Sequence, residues 1–155
     1  MHPYAPPPQP PAALCPARGP LPVPGLVLSL TLPGDPRSAA VGRRAVAASL
    51  AAYGLHSFAW PVTHAVTELI AVTAALTPAR DLYLSLRHRA DALRLVLWDQ
   101  HPRHPDPDTL ALCSVRRRHA LWLLSAVVDD WGGEWGVTDG PPPHQGIKSW
   151  ATLPR

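Results

Sequence analysis

The sequence predicts an α/β fold, a two-layer sandwich in which a mixed, mostly antiparallel sheet carries helices on one face. Three observations point there. Short runs that alternate apolar and polar residues stand beside longer stretches with apolar residues every three or four positions. The two kinds follow one another as strand, helix, helix, strand, strand, helix, strand, strand, an order that packs helices against a sheet. Residues that start and stop helices stand where one period gives way to the other.

The chain has 155 residues, long enough for one domain with a core of its own. Its hydrophobic content of 46% and charged content of 16% exclude a wholly disordered chain. Twenty-one prolines are too many for a compact fold that used them evenly. They crowd into residues 1–24, as in Pro6-Pro7-Pro8-Gln9-Pro10-Pro11, where missing amide donors favour extended polyproline II. This tail is expected to be disordered, and the domain to occupy residues 25–155.

Leu26-Val27-Leu28-Ser29-Leu30-Thr31-Leu32 alternates as a strand does and ends at Pro33-Gly34. Asp35-Pro36 then reads as an N-cap followed by proline at the first helical position, opening a helix from Pro36 to Tyr53 that Gly54 stops. A second helix spans Val62 to Leu76, with Ala65, Leu69, Val72 and Leu76 on one stripe. Leu82–Arg87 and Leu93–Trp98 read as an antiparallel hairpin closed by the polar segment His88–Asp91. A loop from Gln100 to about Val115 leads to a third helix, Arg116–Val128, which ends at Asp130-Trp131-Gly132. Strands near Trp135–Val137 and Ile147–Leu153 flank a turn at Gly140-Pro141-Pro142-Pro143.

The formal net charge of +3 rests on arginine, with Lys148 the single lysine, a bias that argues for base composition rather than for a nucleic-acid partner. No basic and aromatic residues interleave along the chain as a base-stacking surface would need. Cys15 and Cys113 lack paired spacing and read as free thiols. His101 and His104, beside Asp106 and Asp108, lie where a metal could bind, but Pro102 and Pro105 interrupt them and argue against it. No unbroken apolar run approaches the roughly 18 residues of a membrane span, and no leader pattern opens the chain, so a soluble cytoplasmic protein without a membrane partner is expected.

Four motifs, Asp35-Pro36-Arg37-Ser38, Glu68-Leu69-Ile70-Ala71-Val72, Leu97-Trp98-Asp99 and Gly146-Ile147-Lys148-Ser149-Trp150-Ala151-Thr152-Leu153, come in an order that resembles the small histidine-kinase-like ATPases of actinobacteria, relatives of the anti-sigma-factor serine/threonine kinases. The resemblance covers roughly residues 26–154 and implies the Bergerat ATP-binding fold, with ATP and magnesium as cofactors. It assigns Glu68 as general base and Asp99 as acceptor for the adenine amino group. It places Val72 where an asparagine would hold magnesium, so that no metal ligand stands there. The glycine-rich lid motif aligns with Arg118-His119-Ala120-Leu121, giving Arg118, Ala120 and Leu121 as nucleotide-contacting positions without their glycines. Lys148 falls where a threonine would approach adenine. Arg116-Arg117-Arg118 could instead present guanidinium groups to phosphate, although positive charge at the start of a helix opposes its dipole.

These losses point to a regulatory protein that binds a partner, by resemblance a sigma factor or an anti-anti-sigma protein, with weakened or lost ATP binding, and with homodimerisation through the sheet or first helix. An active kinase or ATPase using Glu68 and Asp99 is the alternative. A basic nucleic-acid-binding module is the second.

Overall fold

Alternation along the strands produces a sheet that buries one face only. In the computed structural model, which describes residues 25–140 and 145–155, β1 (Val27–Leu32), β2 (Leu82–Arg89), β3 (Ala92–Asp99), β4 (Glu134–Asp139) and β5 (Ile147–Pro154) form one sheet in the order β1-β2-β3-β5-β4. Leu82, Leu84 and Leu86 of β2, Leu93, Leu95 and Leu97 of β3, and Ala151 and Leu153 of β5 are buried. They share a face because side chains two apart on a strand point the same way. Each leucine removed from water stabilises the fold by about 1.5–3 kcal/mol before entropy is counted. The element order predicts a mixed, mostly antiparallel sheet, whereas among the described residues every pairing is antiparallel.

Helices α1 (Ser38–Ala52), α2 (Ala59–Leu76) and α4 (Trp122–Asp130) pack on the leucine face, and α3 (Pro107–Ala120) packs against α2 and α4. Among the described residues the structure is thus α/β, with a five-stranded antiparallel sheet and four helices. Within α1, Val46 and Leu50 are fully buried, and Gly54 beyond its end takes φ 68°, the left-handed stop that a glycine adopts without strain. Asp35 does not cap the helix in the expected way. Its carboxylate accepts from the Arg37 backbone N–H at 2.7 Å and from the Arg37 guanidinium, and these bonds hold its pKa down at about 2.

Helix α2 starts before the predicted Val62, led in by a 3₁₀ turn at His56–Phe58. Its buried residues, Val62, Ala65, Val66, Leu69 and Ile70 among them, wrap further round the helix than the predicted stripe, because neighbours press on it from the sheet and from α1 and α4. Taken together, His56–Leu76 is long and apolar enough to cross a membrane, although no such segment was expected. In this fold it is the central helix.

The hairpin between β2 and β3 turns on Ala90 and Asp91, both with positive φ (47° and 58°). Two such residues make the turn type that matches the twist of the flanking strands, normally filled by Asn-Gly.

The largest departure from expectation lies between β3 and β4. Residues predicted as loop up to Val115 form α3, whose start is fixed by Asp106: its side chain accepts from the Thr109 backbone N–H and hydroxyl, and Pro107 follows. The same bonds depress the Asp106 pKa. The predicted Arg116–Val128 helix is instead two helices divided at Leu121. The arginines at 116–118 therefore close α3 rather than open a helix, and their charge complements its dipole. At the far end of α4 the Trp131 indole N–H donates to the Pro154 carbonyl at 2.8 Å, tying the helix exit to β5. The proline-rich tail at 1–24 and Pro141–Pro143 of the predicted turn lie outside the described residues.

Candidate functional site

Asp99, the last residue of β3, has the parity of Leu95 and Leu97, so its carboxylate points into the helix layer rather than to solvent. An ionised carboxylate buried there needs a partner. Arg117, one turn before the end of α3, supplies it: its Nη1 donates to Asp99 Oδ2 at 2.6 Å, and the two side chains are 1% and 0% exposed. Asp99 Oδ1 accepts from the His101 backbone N–H at 2.8 Å. Both carboxylate oxygens are thus engaged by the protein itself, and the ion pair joins the end of β3 to α3. Arg117 Nε and Nη2 are buried with no partner among the described residues.

Beside this pair three potential ligands converge. His101 Nε2 lies 3.1 Å from His104 Nε2 and 3.0 Å from Cys113 Sγ. The three ligating atoms lie within 4.8 Å of one another, and each side chain is half-buried. His101 and His104 come from the segment between β3 and α3, and Cys113 stands four residues before Arg117 on the same side of α3. Burial lowers the pKa of His101, as does the nearby Arg117 guanidinium, while Asp99 pulls the other way. All three residues line a cavity of about 410 Å³, with walls from Leu110, Val137, Thr138, Asp139 and Ile147.

The residues singled out in the sequence are dispersed. Glu68 is half-buried on α2, and Val72 packs against the core; neither lines this cavity. Leu121 is wholly buried, and Ala120 is half-buried at the end of α3. The Arg118 guanidinium donates to the Val137 carbonyl at 3.3 Å, bracing α3 against β4. Lys148 is paired across the strands with Trp98, whereas Asp99 is paired with Ile147, so Lys148 and Asp99 lie on opposite faces of the sheet. Ile147 and buried Ser149 are the β5 residues nearest Asp99 on its side of the sheet, opposite Asp99 and Leu97.

The open face holds a second arrangement. Tyr83 and Trp98 are cross-strand partners with ring centroids 5.0 Å apart, and the Arg94 guanidinium lies 5.2 Å from the Trp150 ring centre. Arg87, Arg94 and Lys148 line a shallow groove on this face together with Tyr83 and Trp98. Basic and aromatic residues that do not interleave along the chain therefore do so across the strands. On β4, Gly136 lets the Trp150 indole lie flat against the backbone, where a Cβ would stand 2.9 Å from the ring.

Two residues of the inner site escaped the sequence reading, Arg117 as the partner of Asp99 and Cys113 as the neighbour of the histidines. Asp106-Pro107 was the available signal, since it repeats the Asp35-Pro36 pattern from which the first helix was read. A helix begun there puts Cys113 and Arg117 on one side. Compared with protein-family models and with curated proteins, the chain matches none.

Proposed function

We propose that this chain is a regulatory protein that acts by binding a protein partner, built on a Bergerat-type scaffold like that of the anti-sigma-factor serine kinases and no longer dependent on nucleotide. One observation carries this reading. The carboxylate that the resemblance assigns to the adenine amino group is wholly buried, with Oδ2 bonded to Arg117 and Oδ1 to a backbone N–H. Because Asp99 is 0% exposed beneath α3, an adenine amino group could reach it only if α3 and its Arg117 moved aside, and parting that buried pair would cost roughly 3–5 kcal/mol. Val72, apolar and packed on the core, offers magnesium no oxygen.

Surface chemistry supports a protein partner. Leu112 and Val115, one turn apart on α3, are 71% and 65% exposed, Trp122 at the start of α4 is 63% exposed, and adjoining large apolar side chains in water are where a partner would dock. By resemblance the partner is a sigma factor or an anti-anti-sigma protein. Titration of the purified chain with each candidate from the same cell tests this: one binds, Leu112→Ser weakens it, and Mg-ATP changes nothing. Phosphate transfer to the partner, or binding that requires ATP, would contradict it.

The open sheet face favours a second reading, a single-stranded nucleic acid stacked on Tyr83 and Trp98 with its phosphates near Arg87, Arg94 and Lys148. Stacking is worth about 1–3 kcal/mol per base. Oligonucleotide affinity that falls steeply with salt and with Trp98→Ala would establish it.

A further inference from the structure

We propose that His101, His104 and Cys113 form a three-ligand site for a thiophilic divalent cation of the zinc class, with its fourth coordination position opening into the adjoining cavity. The inference does not depend on the partner-binding reading.

The donor set comes first. Two imidazoles and a thiol are the ligands that zinc and its neighbours prefer, whereas magnesium and calcium select oxygen. Geometry follows. In a four-coordinate zinc site, bond lengths of about 2.0–2.1 Å to nitrogen and 2.3 Å to sulfur put ligand atoms roughly 3.3–3.6 Å apart. Here His101 Nε2 lies 3.1 Å from His104 Nε2 and 3.0 Å from Cys113 Sγ, so these two edges need to widen by about 0.3–0.6 Å, and all three ligand atoms lie within 4.8 Å of one another.

Hydrogen bonding alone serves this cluster poorly. His101 Nε2 has one position, either an N–H or a lone pair, and faces both His104 Nε2 and the Cys113 sulfur. A cation accepts all three lone pairs at once, and the Cys113 thiol releases its proton to solvent as the sulfur–metal bond forms.

The surroundings hold the ligands in place. The His101 N–H bond to Asp99 Oδ1 anchors the loop, and the Asp106 cap fixes where α3 begins and hence where Cys113 stands. The Asp99–Arg117 pair nearby is neutral as a unit and presents no net charge to the incoming cation. All three ligands line the same cavity, so a water or a ligand carboxylate can reach the fourth position.

The test uses the full chain, reduced and stripped with a chelator, then titrated with Co²⁺ and afterwards with Zn²⁺. One equivalent of Co²⁺ should produce a thiolate-to-metal charge-transfer band and the intense visible bands of a four-coordinate ion, and Zn²⁺ should abolish both. Cys113→Ser should remove the charge-transfer band, and Cys15→Ser should leave it unchanged. His104→Gln, in the loop and bonded among the described residues to His101 alone, should weaken Zn²⁺ binding roughly 100-fold while far-ultraviolet circular dichroism stays native; it decides the matter if Cys113→Ser does not fold. Absence of the band, its persistence in Cys113→Ser, its loss in Cys15→Ser, or unchanged Zn²⁺ affinity in His104→Gln would overturn the proposal.

Discussion

Trp98 and Asp99 are neighbours on one strand, yet they belong to different environments. Trp98 lies on the open face, beside Tyr83 and opposite Lys148, where its ring is available to a partner. Asp99 lies on the helix face, and its carboxylate is closed by Arg117 and by the His101 backbone. The comparison teaches that a motif position acquires its chemistry from the face it occupies. A carboxylate at a strand end can accept from a ligand or from the protein, and here α3 supplies a guanidinium at the place where a ligand's donor would have to come.

The sharpest way to break this contrast is to remove the guanidinium. Arg117→Ala leaves Asp99 buried without its partner and should lower unfolding stability by about 3–5 kcal/mol in urea denaturation. Replacing both partners, Asp99→Leu with Arg117→Met, should recover most of that loss. If the single variant proves neutral, the pair is not holding α3 to the sheet.

Next in size is the difference between the two faces of β3. Leu97→Ala, in the buried row, should cost about 2–5 kcal/mol, whereas Val96→Thr on the open face should stay within about 0.5 kcal/mol. Equal effects would mean that the open face is covered in solution, and the oligomeric state measured by sedimentation would then show by what.

The hairpin tests local backbone preference. Ala90→Asn with Asp91→Gly suits the two positive φ angles and should raise stability by about 1 kcal/mol without altering either face.

Smallest is the surface pair at the start of α1. The depressed Asp35 carboxyl contributes stability above its unfolded pKa of about 3.9, and that contribution is lost as the pH falls towards 2. Asp35→Asn should flatten the stability profile over that acid window, lowering stability slightly at neutral pH and leaving it unchanged below about pH 2. Acid titration followed by circular dichroism checks the slope.

Local signals made much of this fold legible. Alternation in Leu82–Arg87 and Leu93–Trp98 located the hairpin, and Gly54 marked the end of α1, because strand parity and left-handed stops depend on a few adjacent residues. The inner site was less legible. The helix start at Asp106-Pro107 is what lifts Cys113 out of a loop and sets Arg116–Arg118 at the end of α3 rather than at the beginning of a helix, so one boundary governs both. The opposition of Lys148 and Asp99 depends on the register between β3 and β5, two strands separated in sequence by α3, α4 and β4. Pairing of that range leaves no local pattern, and neither does the bond from Arg117 to Asp99. The convergence of His101, His104 and Cys113 likewise follows from where a helix starts, not from ligand spacing along the chain.

Calorimetric titration of the full chain with Mg-ATP tests the central claim most directly. A carboxylate wholly buried beneath α3 and paired with Arg117 predicts no binding heat up to roughly millimolar nucleotide, corresponding to an affinity weaker than about −4 kcal/mol. Saturable binding in the micromolar range, abolished by Asp99→Asn in a chain that remains folded, would contradict it.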